Sequence, residues 1–299
     1  MAVYTQVDAE TLASFLEAYD LGPATSFKGI AEGVENSNFY LETPSGRFIL
    51  TLFEKRAKPE DLPYFIALKQ HLAARDFPCP TPVAAKDGLA LRTLAGRPAV
   101  IVSFLDGLSP NTPTRGQCHA LGAALADMHA ALADFGQRRK NDLGPTAWPK
   151  LWAGREAQAD ALQAGLAAEV SGDLDRIRRA RGLTRALPRG TIHADLFPDN
   201  AFFLGEVFSG AIDFYFACSD VLAYDIAVCL NAWAFEGGAS ASGLQYNYSK
   251  GAALIAGYES RRPLQPDERD ALPVLCLGAA MRFFLTRLVD WADTPDDAL

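Results

Sequence analysis

The hydrophobic pattern of the chain changes at the segment DGLSPNTPT, residues 106–114, and no other feature limits the possible folds as strongly. Before this segment, short apolar runs alternate with turn residues, which is typical of strands. After it, apolar residues recur mostly with the spacing of helices. We therefore expect an α+β protein with two lobes: a small antiparallel β-sheet lobe over residues 1–105 and a larger, mainly helical lobe over residues 106–299.

The front lobe is expected to hold a β-meander, a helix and two further strands. The stretch FKGIAEGVENSNFYLETPSGRFILTLFEK predicts strands near Phe27–Ile30, at Asn38–Thr43 and at Arg47–Phe53, with PSG as a turn. Apolar spacing in KPEDLPYFIALKQHLAARDF predicts a helix, and the apolar run Pro98–Phe104 is typical of a buried strand. In the rear lobe, helical patterns cover five segments: 114–133, 148–181 (one or two helices), 224–235, 246–260 and 266–291.

The composition favours a small molecule as the main partner. The chain has 28 basic and 36 acidic residues, and its net charge of −8 argues against nucleic acid or an anionic membrane surface. The N-terminal residues lack a basic start and an apolar run, and no later segment looks long and apolar enough to span a membrane. We therefore expect a cytoplasmic protein. The five cysteines form no C-x-x-C pair, which indicates reduced thiols rather than disulfides or a zinc site.

The stretch TIHADLFPDNAFF, residues 191–203, breaks the helical pattern and carries the candidate chemistry. If Ala201–Leu204 and Ser209–Asp213 pair as a hairpin, Asn200 and Asp213 meet at its open end. An amide oxygen and a carboxylate suit Mg²⁺, which takes its remaining ligands from water and phosphate. Asp195 then lies beside the cation and can accept a proton, as phosphoryl transfer to a hydroxyl requires.

The motif HADLFPDN followed by IDF resembles the catalytic loop and metal aspartate of the aminoglycoside-phosphotransferase and choline-kinase family, which has the protein-kinase-like fold. The resemblance covers nearly the whole chain. It implies a kinase that uses ATP and Mg²⁺, with Asp195 as the catalytic base, Asn200 and Asp213 as magnesium ligands and Asp225 as a lobe-stabilising residue. Within the family, KGIAEGVENSNFYLET and GRFILTLFEKR are similar to bacterial homoserine kinases, which phosphorylate the side-chain hydroxyl of that amino acid.

The nucleotide site departs from the family pattern. The resemblance implies a lysine on the third strand, but FILTL places Thr51 there. A base bound to the backbone of the hinge strand would contact Ser103 and Leu105. The phosphates have six candidate partners. The two lysines, Lys28 and Lys55, would act through charge, and four residues of the loop would act through backbone N–H groups, namely Gly33, Asn36, Ser37 and Asn38.

The acceptor site is expected on the helical lobe. An amino-acid zwitterion needs a cation for its carboxylate and an acceptor for its ammonium group. Arg282 is the predicted carboxylate partner, and Tyr215 and Trp233 are predicted pocket walls. The two histidines nearest to this chemistry are expected to be structural: His193 braces the loop and His129 lies in the interior.

Two other functions stay open. The chain could phosphorylate another small acceptor, such as choline, a sugar or an aminoglycoside. A polycationic aminoglycoside would require a strongly acidic pocket, and the segment AYDIAVCLNAWAFEGG contains only Asp225 and Glu236. The chain could also be an inactive nucleotide-binding module, because the third-strand lysine is missing. Such a module would not need the three groups that carry the chemistry.

Overall fold

The computed structural model describes residues 4–31, 36–54, 58–237 and 243–292. The chain divides into two compact units. The first holds residues 1–108 together with two returning pieces of a hairpin, 202–204 and 209–215, and the second holds the remainder. A single cut between residues 105 and 106 therefore does not describe the division, because hairpin residues distant in sequence join the first unit.

The first unit is built on a five-stranded antiparallel sheet with the order β1-β2-β3-β5-β4. Its elements in chain order are α1 (Ala9–Leu16), β1 (Ser26–Gly29), β2 (Asn36–Thr43), β3 (Gly46–Phe53), α2 (Leu62–Ala73), β4 (Arg92–Leu94) and β5 (Arg97–Ser103). The predicted meander is confirmed, but β2 begins at Asn36 rather than Asn38, since Asn36 already pairs with Phe53.

The core of the first unit lies between α1 and one face of the sheet. Strand β2 alternates buried and partly exposed residues, as expected for a strand with one face in the core. Leu41, Leu50 and Ile101 are fully enclosed, and Leu12 of α1 packs into the same cluster. Burial of such aliphatic side chains stabilises the fold by roughly 1.5–3 kcal/mol each.

Beyond residue 108 the chain is mainly helical. The helices are α3 (Arg115–Ala131), α4 (Trp148–Trp152), α5 (Glu156–Leu162), α6 (Leu166–Arg179), α7 (Arg181–Arg185), α8 (Leu222–Trp233), α9 (Tyr248–Glu259) and α10 (Pro266–Ala292). The segment predicted as one or two helices from 148 to 181 holds three helices and the start of a fourth. Gly154 and Gly165 explain the interruptions, because both adopt positive φ and so leave the helical conformation.

Three small strand pairs interrupt this helical part. Their strands are β6 (Arg189–Ile192), β7 (Ala201–Leu204), β8 (Val207–Ala211), β9 (Cys218–Val221), β10 (Phe235–Glu236) and β11 (Gln245–Tyr246), paired as β6-β9, β7-β8 and β10-β11. The β7-β8 hairpin was expected, but β8 starts and ends two residues earlier than predicted. Gly205, at φ 64°, and Glu206 form the tight turn, so Asp213 follows the strand instead of ending it.

Helix α10 corrects an expectation from the sequence. Between Pro266 and Trp291 it is long and apolar enough to cross a membrane by length and composition, although no such segment was predicted. It packs as a core helix: Met281 and Leu285 are buried against Trp148 of α4. It also carries Arg282, which is 3% exposed and paired with an aspartate. Core helices of globular proteins pass the same length and composition test.

Candidate active site

The candidate catalytic loop begins where β6 ends. Strand β6 pairs with β9 from Arg189, opposite Val221, to Ile192, opposite Cys218. This short pair was not predicted, because four residues carry too little periodicity to identify a strand. The loop then continues to a short turn of 3₁₀ helix at Pro198–Asn200, which leads directly into β7.

Asp225 holds the start of this loop. Its carboxylate accepts the backbone N–H of His193 at 2.8 Å and that of Ala194 at 2.7 Å. Ala194 has φ 64°, a left-handed conformation that is costly for a residue with a side chain. The two hydrogen bonds stabilise this conformation and so fix the direction in which Asp195 leaves the strand. Asp225 thus acts on the loop from the first turn of α8 rather than as a helix cap.

A second layer supports Asp225. His129 of α3 lies 3.1 Å from the Asp225 carboxylate through Nε2 and 2.9 Å from the Tyr258 hydroxyl through Nδ1. Burial alone would raise the pKa of Asp225, but the hydrogen bond and charge of His129 and the contacts of His193 hold that pKa below its usual value. The prediction that His129 is an interior residue is confirmed. His193 braces the loop as expected, since its Nδ1 accepts the Asp195 N–H at 3.3 Å.

Asp195 and Asn200 lie together. The Asn200 Nδ2 donates to the Asp195 carbonyl at 2.8 Å and to its carboxylate at 3.3 Å. The Asp195 side chain is 17% exposed, so solvent and small solutes reach the carboxylate. Because Nδ2 is used within the loop, the amide Oδ1 of Asn200 is the atom available to bind a cation. The loop therefore offers a proton acceptor and a separate oxygen ligand side by side.

Arg282 contacts the loop from α10, and its predicted role toward a substrate carboxylate stays a prediction. Its guanidinium lies 3.5 Å from the Asp195 carboxylate and donates to the Ala194 carbonyl. The rings of Phe216 and Phe283 enclose it, with centroids 5.1 and 4.2 Å from its central carbon. A guanidinium used in this way orients Asp195, and it has little capacity left for a substrate carboxylate.

Trp233 also supports the loop. It is 1% exposed, and its indole N–H donates to the Leu196 carbonyl at 2.8 Å. Because the ring is almost fully buried, it presents little surface to a substrate, and its predicted role as a pocket wall stays a prediction.

A cavity of about 540 Å³ lies beside the loop and is mostly apolar. Phe197, Asn231, Phe283 and Arg287 are among its lining residues. The exposed Arg287 lies over the rings of Phe197 and Phe283. Asn231 donates to the Cys276 carbonyl at 2.8 Å, which leaves its Oδ1 as an acceptor. The sequence analysis did not identify Asn231 or Arg287 as candidates. For Arg287 a signal was present, because it follows Arg282 in the otherwise apolar part of α10.

In the first unit, Asp213 is exposed and adopts φ 59°. Tyr215, two residues later, packs edge-on against Phe53 of β3 and Phe65 of α2, with ring centroids 5.3 and 5.5 Å apart. Burial, and then the charge of Asp213, raise the pKa of the Tyr215 phenol above its usual range. Packed in this way, Tyr215 is part of the support for Asp213. The predicted role as an acceptor wall remains a prediction.

Three of the residues predicted to contact the nucleotide form side-chain hydrogen bonds to other residues of the first unit. Ser37 is fully enclosed, and its hydroxyl donates to Glu54 and accepts the N–H groups of Tyr4 and Thr5. Asn36 accepts the Glu54 N–H, and Asn38 accepts the Thr51 hydroxyl at 2.8 Å. These three residues lie in a strand, not in the predicted loop. Their role toward phosphate stays a prediction.

The remaining nucleotide candidates differ in placement. Lys28 is exposed on β1, and Leu105 is partly exposed. The Ser103 N–H donates to the Thr81 carbonyl and its hydroxyl accepts the Thr81 N–H, both at 2.9 Å. Gly33 and Lys55 lie outside the described residues.

Within the described ranges, no group of three or more histidine, cysteine, aspartate or glutamate residues is arranged to hold a metal. Asn200 precedes β7, and Asp213 follows β8 after one residue. Such a sparse oxygen set fits Mg²⁺, which keeps several positions for water and phosphate.

Comparisons with known proteins give consistent results. The profile of the phosphotransferase enzyme family matches residues 26–264. A Hyphomonas neptunium protein named homoserine kinase is 68% identical, over all of this chain and 92% of its own length. One of the same name from Acidiphilium cryptum is 56% identical, with the same coverage of both chains.

Solved structures share the fold at low sequence identity. Amicoumacin kinase hAmiN, solved with AMP-PNP and Ca²⁺, superposes with a TM-score of 0.73 at 15% identity, covering 98% of this chain and 90% of that one. Choline kinase from Cryptosporidium parvum gives 0.65 at 17% identity, covering 95% and 90%. The two-lobed α+β fold expected from the sequence is therefore confirmed.

Proposed function

The chain belongs to the phosphotransferase enzyme family, and from this premise we propose that it transfers the γ-phosphate of ATP to the side-chain hydroxyl of L-homoserine. The product would be O-phosphohomoserine, an intermediate of threonine biosynthesis, and the proposed location is the cytoplasm. Support for the acceptor comes from relatives named homoserine kinase at 56–68% identity over the whole chain. The similar solved structures act on varied acceptors and so support the fold alone.

One observation carries the chemistry: Asp195 is accessible and held in place by Arg282 and Asn200. In the proposed reaction the acceptor hydroxyl donates a hydrogen bond to the Asp195 carboxylate. As its oxygen bonds to the γ-phosphorus, the bond from that phosphorus to the β-phosphate oxygen breaks and ADP leaves. The hydroxyl proton passes to Asp195. Because the protein adds no covalent step, the rate depends on how well the carboxylate and the hydroxyl are positioned.

Asn200 Oδ1 and the Asp213 carboxylate are the proposed magnesium ligands. Magnesium, when bound with the nucleotide, neutralises phosphate charge. Asn200 links the two functions, since its Nδ2 fixes Asp195 while its Oδ1 faces away from that bond.

Arg287 is the proposed partner of the homoserine carboxylate, in place of Arg282. It is exposed at the cavity beside the loop, whereas Arg282 is enclosed and already paired. The Asn231 Oδ1 in the same cavity is a suitable acceptor for the ammonium group. The apolar remainder of the lining fits the two methylene groups of the substrate.

The function is tested by measuring ADP release with purified enzyme, ATP and Mg²⁺ against L-homoserine, serine, threonine and choline. We expect turnover with homoserine well above that with the other acceptors. Asp195→Asn should lower kcat by roughly 10²–10⁴-fold and keep nucleotide affinity, because the proton acceptor is lost and the shape is kept. Preference for choline would assign a different acceptor, and no turnover with any acceptor would favour the inactive nucleotide-binding module.

The acceptor anchor is tested with Arg287→Ala. Loss of a charged hydrogen bond of about 1.5–3 kcal/mol should raise the KM for homoserine roughly 10–100-fold and leave the KM for ATP unchanged. Arg178→Ala is the matched control, because Arg178 is also an exposed helical arginine but pairs with Asp175 on α6. An unchanged homoserine KM in Arg287→Ala would contradict this assignment.

A further inference from the structure

The third strand of the sheet provides no cation at the position where the family resemblance implies a lysine. Thr51 occupies it, opposite Asn38 on β2 and Val100 on β5. Its hydroxyl donates to the Asn38 side chain at 2.8 Å, and the residue is 6% exposed. The position is therefore filled by a neutral hydrogen-bonded pair.

A lysine from the neighbouring helix lies over the ring of Tyr215, two residues after Asp213. Lys69 is on α2, and only 6% of its surface is exposed. Its ammonium nitrogen lies 5.5 Å from the centroid of the Tyr215 ring, and its charge interacts with that of Asp213. The Cys79 thiol donates to its backbone carbonyl. An exposed lysine such as Lys28 on β1 has no comparable enclosure.

The aromatic contacts fix this lysine relative to Asp213. Phe65 precedes Lys69 by one helical turn, and both contact the Tyr215 ring. Phe53, the last residue of β3, packs on the same ring. The Tyr215 side chain thus joins three parts of the unit, namely α2, the end of β3 and the segment from Asp213 to Tyr215. The Lys69 ammonium group lies over its ring.

The energetics of burial argue that this lysine has a function. Leu68 and Leu72 on the same helix are fully buried, and an apolar residue at position 69 would avoid the desolvation of a charge. An ammonium group in such a place costs several kcal/mol unless opposite charge compensates it. Burial lowers the pKa of Lys69 to about 8, although the charges of Cys79 and Asp213 oppose that shift, and bound phosphates would oppose it further.

We propose that Lys69 supplies from α2 the positive charge that the family resemblance places on the third strand, and that it acts by positioning Asp213 as a ligand of the nucleotide-bound Mg²⁺. This inference rests on the proposed phosphotransfer function and deepens it. Lys69 is a positioning residue, because it contacts the Tyr215 ring and interacts with Asp213 through charge.

The test compares Lys69→Met, which keeps the length without the charge, with Lys69→Arg, which keeps the charge. Lys250→Met is the matched control: Lys250 of α9 is 7% exposed, but it pairs with Glu236 of β10. Equilibrium binding of ATP is measured as a function of Mg²⁺ concentration, alongside thermal unfolding and steady-state kinetics.

We expect Lys69→Met to fold, with a melting temperature equal to or above that of the wild type, since a buried charge is removed. It should weaken Mg²⁺-dependent ATP binding at least tenfold, with little effect on the KM for homoserine. Lys69→Arg should restore part of the affinity, and Lys250→Met should bind ATP as the wild type does. Unchanged Mg²⁺ dependence in Lys69→Met would overturn the proposal.

A double-mutant cycle with Asp213→Ala tests the route through Asp213. If Lys69 positions Asp213, then Lys69→Met should have little further effect on ATP binding once Asp213 is gone. Additive losses would show that Lys69 acts independently of Asp213 and would overturn the positioning role.

These binding measurements need no acceptor, so the two proposals can fail separately. If ATP binding depends on Lys69 but homoserine is not phosphorylated, the assignment of homoserine as the acceptor is rejected and the inference about Lys69 is kept. If the wild type phosphorylates homoserine and Lys69→Met binds ATP as the wild type does, the inference about Lys69 is rejected and the proposed function is kept.

Discussion

Arg282 shows how one buried side chain can hold two consecutive residues of the candidate catalytic loop. It pairs with the Asp195 carboxylate and donates to the carbonyl of Ala194, which is the loop residue with the left-handed conformation. A guanidinium can make both contacts at once because its donors are spread over a rigid plane. A lysine ammonium has no such fork. We therefore expect the orientation of Asp195, the proposed base, to depend on an arginine at this position.

Arg282→Lys is expected to lower kcat roughly 10–100-fold, because a small displacement of Asp195 spoils the alignment of the hydroxyl. The KM for ATP should change little, since the nucleotide does not contact this side chain in the proposed function. Steady-state kinetics with each substrate varied separately provide the check. A rise in the KM for homoserine with unchanged kcat would instead restore the original prediction that Arg282 binds the substrate carboxylate.

At the scale of elements, α3 and α9 meet with their backbones in contact. A Cβ atom on Gly122 of α3 would overlap the Leu254 carbonyl, and one on Gly257 of α9 would overlap the His119 carbonyl. This close approach brings His129 to Tyr258 and so supports Asp225. Packing of two glycines thus contributes to the geometry of a loop that neither helix contains.

Gly122→Ala is expected to destabilise the protein by about 1–3 kcal/mol or more, because the methyl group can fit only if the helices separate. Gly172→Ala on α6 is the matched control: nothing lies within 4 Å of its added Cβ, and alanine should stabilise that helix by roughly 0.5–1 kcal/mol. Denaturant unfolding of both variants measures the change in the free energy of unfolding, which should be negative for Gly122→Ala and positive for Gly172→Ala. Equal stability of Gly122→Ala and the wild type would contradict the close helix packing.

At the scale of the whole molecule, the five cysteines behave as buried neutral groups. All five are free, and four are buried; Cys276 is partly exposed. Burial raises the pKa of Cys79 and Cys218 to about 12 and that of Cys118 and Cys276 to about 11, and it also raises the pKa of Cys229 well above its usual value. The prediction of reduced thiols is confirmed. These thiols couple the stability of the fold to alkaline pH.

The sign of that coupling follows from the pKa shifts. In the unfolded chain a thiol loses its proton near pH 8.5, whereas in the folded chain it keeps the proton to about pH 11 or above. The thiols therefore contribute their full stabilisation below about pH 8.5. As the pH rises from there toward the pKa values of the folded chain, the free energy of unfolding falls by about 1.4 kcal/mol per pH unit for each fully buried thiol. Denaturant unfolding at pH 8 and pH 10 should show this loss, and Cys229→Ala should reduce it. Equal stability of the wild type at both pH values would contradict neutral burial.

The sequence by itself determined the order of the elements and the chemistry of the loop. Asp195 and Asn200 lie five residues apart, and strand and helix periods are local, so both can be recognised from short stretches. Only the tertiary structure decided that Arg282 reaches Ala194 across 88 residues, that His129 reaches Asp225 across 96, and that Lys69 lies over the Tyr215 ring. Such contacts depend on how helices pack, and the sequence of one helix does not specify which side chain of another it will meet.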